Sequence, residues 1–114
     1  MAMTPEKKVK QKVAKLLKEA GAYYFFPATG GYGRSGVPDI VGCLDGNFFG
    51  IECKAGKNTT TALQQLELGK IARSGGRAIV VNEDRMESFK NNLLDPTSFH
   101  YLGEMVDDEV YEED

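Results

Sequence analysis

The sequence predicts an α/β domain with a mixed central sheet flanked by helices, in the order helix, strand, strand, strand, helix, strand. Three observations carry this. Two apolar runs, 39–44 and 47–54, flank Asp45-Gly46, and Asp-Gly between such runs marks a two-residue hairpin because a type I′ turn needs positive φ at both central positions. Two stretches, one opening at Thr4-Pro5 and one at Thr61-Ala62, carry helix-start residues followed by apolar positions at helical spacing. Arg77-Ala78-Ile79-Val80-Val81-Asn82, behind Gly75-Gly76, reads as a buried strand.

In chain order, Thr4 suits an N-cap, Pro5 the first helical position, and Glu6 the positive end of the helix dipole. Val9, Val13, Leu16, Leu17 and Ala20 form the apolar stripe, and Gly21 ends the helix. Lys7, Lys8, Lys10, Lys12, Lys15 and Lys18 cover much of the rest, an array that suits either solvent or a run of phosphates. Residues 22–26 form a strand stopped by Pro27. The glycine-rich loop that follows, 29–36, carries Tyr32 and Arg34. Its spacing does not match the nucleotide-binding loop that ends in lysine and a hydroxyl residue. Backbone N–H groups, Tyr32 and Arg34 there suit a nucleic-acid backbone, or the loop is a connector.

A two-residue turn pairs Leu44 with Asn47, Val41 with Gly50 and Asp39 with Glu52. Two carboxylates then share one face with Cβ atoms about 4.5–5.5 Å apart. Lys54 points to that face and Cys53 away from it. Like charges so placed are unfavourable, so either one carboxyl holds a proton or a cation sits between them. A hard divalent ion with oxygen ligands suits the second case, and a solvated surface hairpin is the plain alternative.

Past the hairpin, Lys57 adds a cation to a loop. Thr61 and Gln64 form a capping box, and the face shared by Gln64, Leu68, Ile71 and Ala72 turns Gln64, in preference to Gln65, toward the sheet. Residues 86–94 make a short last helix with Phe89 and Leu93 inward. Phe99, Tyr101 and Leu102 suit a small strand or a packed segment, and His100 is expected to be structural or exposed.

Charge divides the chain. Residues 1–94 hold all 14 Lys and Arg against 9 Asp and Glu, while residues 95–114 hold 8 acidic residues and no Lys or Arg. We therefore expect a basic body at 1–94 and an acidic tail at 95–114, partly packed or mobile, and a basic body attracts polyanions. Two cysteines and one histidine are too few for a closed zinc site, and free thiols suit a reducing, cytoplasmic setting. No run is long and apolar enough for a membrane span, so no membrane partner is expected.

Gly36-Val37-Pro38-Asp39, Glu52-Cys53-Lys54, Thr61-Ala62-Leu63-Gln64 and Gly75-Gly76, in this element order, resemble the PD-(D/E)xK nuclease superfamily and within it the VRR-NUC branch. The likeness covers roughly residues 4–92, and the valine-arginine-arginine signature is absent because Cys53 occupies the middle of Glu-x-Lys. The resemblance implies a restriction-endonuclease-like αβββαβ core and a Mg²⁺- or Mn²⁺-dependent endonuclease acting on DNA. It implies Asp39, Glu52, the Cys53 backbone carbonyl and Glu6 as metal ligands, Lys54 as the catalytic cation, and Gln64 as a residue that positions Lys54, phosphate or water. Tyr32, Arg34, Lys57 and Lys8 are the expected DNA contacts. Small members are similar to Holliday-junction resolvases, which implies branched DNA and a homodimer, with Tyr24, Phe26 and the 99–106 segment as candidate interface. A restriction-like, single-strand or flap nuclease and a non-catalytic DNA-binding module are the alternatives.

Overall fold

The computed structural model describes residues 3–28 and 34–93. Tyr32, Leu94 and the acidic tail, with Phe99, His100 and the 99–106 interface candidate, lie outside the described residues. The elements are helix α1 (Pro5–Glu19), strands β1 (Tyr23–Phe25), β2 (Ile40–Leu44) and β3 (Asn47–Cys53), helix α2 (Ala62–Arg73), strand β4 (Arg77–Val81), a 3₁₀ turn (Glu83–Arg85) and helix α3 (Met86–Leu93). This is the predicted element order, and the chain is an α/β fold. No helix among the described residues is long and apolar enough to cross a membrane.

The sheet has the order β1-β2-β3-β4. β1 and β3 pair antiparallel with β2, and β3 pairs parallel with β4, so the sheet is mixed. The hairpin register is the one expected from a two-residue loop: Leu44 faces Asn47, Val41 faces Gly50 and Ile40 faces Ile51. Asp45 at φ 51° and Gly46 at φ 81° supply the two left-handed residues that the turn requires.

Alternation along the strands then separates two faces. Ile40, Leu44, Phe49, Ile51, Cys53, Ile79 and Val81 point to one side, where they form the main core with Val9, Val13 and Leu17 of α1 and Phe89 and Leu93 of α3. The other face is thinner. There α2 sets Leu68, Ile71 and Ala72 against Ala78 and Val80, so it covers the β3–β4 half of the sheet. Thr61 Oγ1 accepts from the Gln64 N–H at 3.2 Å and Gln64 Oε1 accepts from the Thr61 N–H at 2.9 Å, which closes the capping box at the start of α2. The N-terminus of α2 lies at the β3 end that carries Glu52 and Lys54, because the helix returns the chain to a parallel neighbour.

Phe49 anchors this arrangement. It is fully buried at the middle of β3, below the hairpin turn and against both helices of the main core. Phe49→Ala is expected to lower unfolding free energy by about 3–5 kcal/mol, read as a shift in the urea midpoint. A loss below 1 kcal/mol would show that the hairpin is not built on this core.

Candidate functional site

Asp39 stands one residue before β2 and Glu52 one residue before the end of β3, and the two strand ends are tied by their own side chains. Asp39 Oδ2 accepts from the Cys53 N–H at 2.9 Å. In return the Asp39 N–H donates to Glu52 Oε1 at 3.2 Å. Side chains thus replace the next rungs of the ladder beyond the Ile40–Ile51 pair. Glu52 Oε2 lies 3.6 Å from Lys54 Nζ. The two acids and the lysine that the sequence placed on one face are therefore together in space.

The approach to Asp39 is shaped by Pro38 and Gly50. A Cβ on Gly50 would lie 2.9 Å from Pro38 Cγ and 2.5 Å from Ile71 Cδ1. The stiff proline ring occupies the space that a side chain would need, so glycine lets the segment before β2 lie close over β3. This sets Asp39 across from Glu52. The contact was not readable in the sequence, because it joins three elements distant along the chain.

Glu52 is 2% exposed and Lys54 8% exposed, whereas Asp39 is half-buried. Burial first, and then the nearby Asp39 charge, raise the Glu52 pKa from its ordinary 4.5 to about 8 against the opposing charge of Lys54. A pKa raised this far favours the protonated Glu52 carboxyl at neutral pH. That is one of the two resolutions expected of paired acids.

The Cys53 peptide contributes a third oxygen to this side. The Lys54 N–H donates to the Val81 carbonyl at 3.0 Å, toward β4. In a planar trans peptide the carbonyl points opposite to the N–H, so the Cys53 C=O is directed toward β2 and Asp39. Its thiol faces the main core, where burial pushes its pKa up, with the Asp39 and Glu52 charges adding to the effect. Cys43 is exposed, and both thiols are free.

The other expected site residues are placed differently. Glu6 is exposed on α1, and its charge acts on the Cys53 thiol, on the face opposite to the Glu52 side chain. Among the described residues no three His, Cys, Asp or Glu side chains gather closely enough to hold an ion, so Asp39 and Glu52 form a pair with Glu6 outside it. Gln64 is committed to the helix cap through its amide oxygen. Gln65 donates to Thr60 Oγ1. Lys57 is exposed in a polar depression of about 350 Å³ that Val80, Asn82 and Arg85 also line. Lys8 lines a depression on the α1 side with Lys12 and Glu83.

Arg34 has a partner that the sequence did not suggest. Its guanidinium lies 3.0 Å from Glu67 Oε1, and Glu67 is also 3.6 Å from Lys70 Nζ. Glu67 is buried on α2, and its spacing from Lys70 was the one readable hint. The Arg34 side chain is still 73% exposed. Tyr24, an expected interface residue, packs against the main core, while Tyr23 and Phe25 face the opposite side and are exposed.

No protein-family model matches the chain, and no curated protein matches it significantly in sequence.

The raised Glu52 pKa fixes the sign of a pH effect. The protonated acid is favoured in the folded state, so its contribution to stability is fully present below about 4.5, declines as pH rises and is gone above about 8. In metal-free buffer the native protein is expected to lose thermal stability relative to Glu52→Gln across pH 5 to 9. Parallel melting curves for the two across that range would rule out the buried acid pair.

Proposed function

We propose that the chain is a divalent-metal-dependent nuclease that hydrolyses phosphodiester bonds in DNA, with Asp39, Glu52 and Lys54 as its working side chains. The single observation that carries this reading is the enforced proximity of two acids beside an ammonium group, with Lys54 Nζ 3.6 Å from Glu52 Oε2. The element order and the likeness to the VRR-NUC branch support it, as does the basic charge of residues 1–94. The restriction-endonuclease-like fold, the cytoplasmic setting and the preference for branched DNA belong to the same proposal.

The residues fit a hard cation. Two carboxylates and a peptide carbonyl form an all-oxygen donor set of the kind Mg²⁺ or Mn²⁺ takes. Burial and the Asp39 charge favour a proton on Glu52 against the pull of Lys54, and a bound cation would favour the ionised carboxylate. When bound, the ion supplies a more acidic water and neutralises charge on the phosphate. Asp39, half-buried, is the member of the pair that solvent and substrate can reach. Lys54, held by Glu52, directs its ammonium at the place where negative charge grows on the phosphate oxygens as the nucleophile adds. Glu52 has two tasks in this scheme, as ligand and as the anchor that orients Lys54.

Asp39→Asn, Glu52→Gln and Lys54→Ala are each expected to lower cleavage by about 10²-fold or more while DNA retention at low salt persists. The assay compares a four-way junction, a flap and linear duplex of one sequence, with Mg²⁺, with Mn²⁺ and with chelator. Unreduced cutting by Asp39→Asn would defeat the assignment.

Metal binding has a readout without DNA. Protons compete with the ion for Glu52, so Mn²⁺ is expected to raise the melting temperature more at pH 8.5 than at pH 6. Asp39→Asn is expected to abolish that increment, and an equal shift in the variant would place the ion elsewhere.

A further inference from the structure

Among the described residues, the sheet face that carries Asp39 and Glu52 is covered by α2 over its β3–β4 half alone. Beyond the edge of α2 the exposed rings of Phe25 and Phe48 stand on either side of Val41, and Pro38 closes the end nearest Asp39. With α2 as the far wall they enclose a groove of about 550 Å³, within the size range of small-ligand sites. Arg34 and Lys70 line the α2 side, and both pair with Glu67.

We propose that this groove binds an unpaired nucleobase of the strand whose phosphate lies at Asp39 and Glu52. The inference rests on the nuclease reading and specifies the substrate class: DNA with single-stranded character beside the cut. Half-exposed aromatic rings offer a π surface on which any base can stack, and a guanidinium and an ammonium at the rim complement the phosphate of the same nucleotide. A base already paired in a duplex cannot enter, because its partner strand blocks the approach to the rings.

Spacing supports the placement. Val41 lies two residues from Asp39 on the same face, about 7 Å at strand rise, and Phe48 lies four residues from Glu52, about 13 Å. Stacked nucleotides advance about 3.4 Å per step along one strand, so the groove receives a base roughly two to four steps from the scissile phosphate. On the other flank of the acid pair, next to Val80, which pairs with Glu52, the polar depression lined by Lys57 and Arg85 suits the continuing backbone. A single strand crossing the sheet would thus meet cations, then the acid pair, then aromatic rings.

The test uses the full chain in chelator with oligonucleotides that carry 2-aminopurine at successive positions, either unpaired or inside a complete duplex. Fluorescence of the unpaired probe is expected to fall on binding at one or two positions and not in the duplex. Phe48→Leu and Phe25→Ala are expected to abolish that fall and to weaken single-strand binding by about 5- to 150-fold, whereas Phe48→Tyr retains both. With Mn²⁺ the same losses are expected in cutting of a flap relative to duplex. If the native protein cuts DNA yet Phe48→Leu and Phe25→Ala match it on both substrates, the groove inference fails and the nuclease reading survives. If the native protein neither retains nor cuts any DNA, both fail. If Phe25→Ala instead converts a dimer to a monomer on gel filtration, with unchanged flap cutting, a second copy of the chain covers the groove and the inference is overturned.

Discussion

The fold converges on an exchange of hydrogen bonds between two strand ends. Where the β2–β3 ladder stops, the Asp39 carboxylate takes the Cys53 N–H and the Glu52 carboxyl takes the Asp39 N–H. A carboxylate that accepts from a peptide N–H forms a stronger bond than a neutral acceptor does. Those bonds offset part of the cost of holding two acids together at the edge of a core. They also fix both side chains, so the acids cannot swing apart to relieve their repulsion. The remaining imbalance is eased by Lys54 and by the raised pKa of Glu52, which favours a proton there.

Rigid support reaches this point from three directions. Phe49 and Ile51 seat β3 on the main core, and the Asp45-Gly46 turn holds β2 in the register that brings Asp39 opposite Glu52. Pro38, over Gly50 and beside Ile71, fixes the entry to β2. The loop after Lys54 is held in turn where Glu83 Oε1 accepts from the Gly56 N–H at 2.9 Å. Each support comes from a different element, so the pair is positioned by the fold as a whole and by no single loop. Sites built on strands in this way keep their geometry better than sites built on loops.

What the sequence revealed was local. Asp-Gly sets a loop length, loop length sets register, and register with alternation places Asp39, Glu52 and Lys54 on one face while Cys53 turns inward. The cap at Thr61 and Gln64 is equally local. A capping-box glutamine spends its amide oxygen on the helix N-terminus and has little reach left for Lys54. Contacts between distant elements were not legible. Nothing near Arg34 in sequence announces Glu67, and nothing near Pro38 announces Gly50. The facing of β1 was not legible for another reason: Tyr23, Tyr24 and Phe25 are all aromatic, so the strand carries no alternation to say which ring meets the core.

The uneven cover of the sheet follows from chain economy. Among the described residues α1 and α3 together close one face, whereas α2 alone serves the other and packs over β3 and β4, the two strands it connects. The β1–β2 half of that face is left with Phe25 and Val41 outward, beside the acid pair and on the same side. A protein that only needed stability would replace such rings with polar residues, because exposed apolar area contributes nothing to folding and invites association. Their place beside Asp39 and Glu52 sets an apolar surface and a pair of acids on one face of the sheet. Under the nuclease proposal, a polyanion that carries flat aromatic groups would use both at once, and its unpaired form is the one that could present them to a single face.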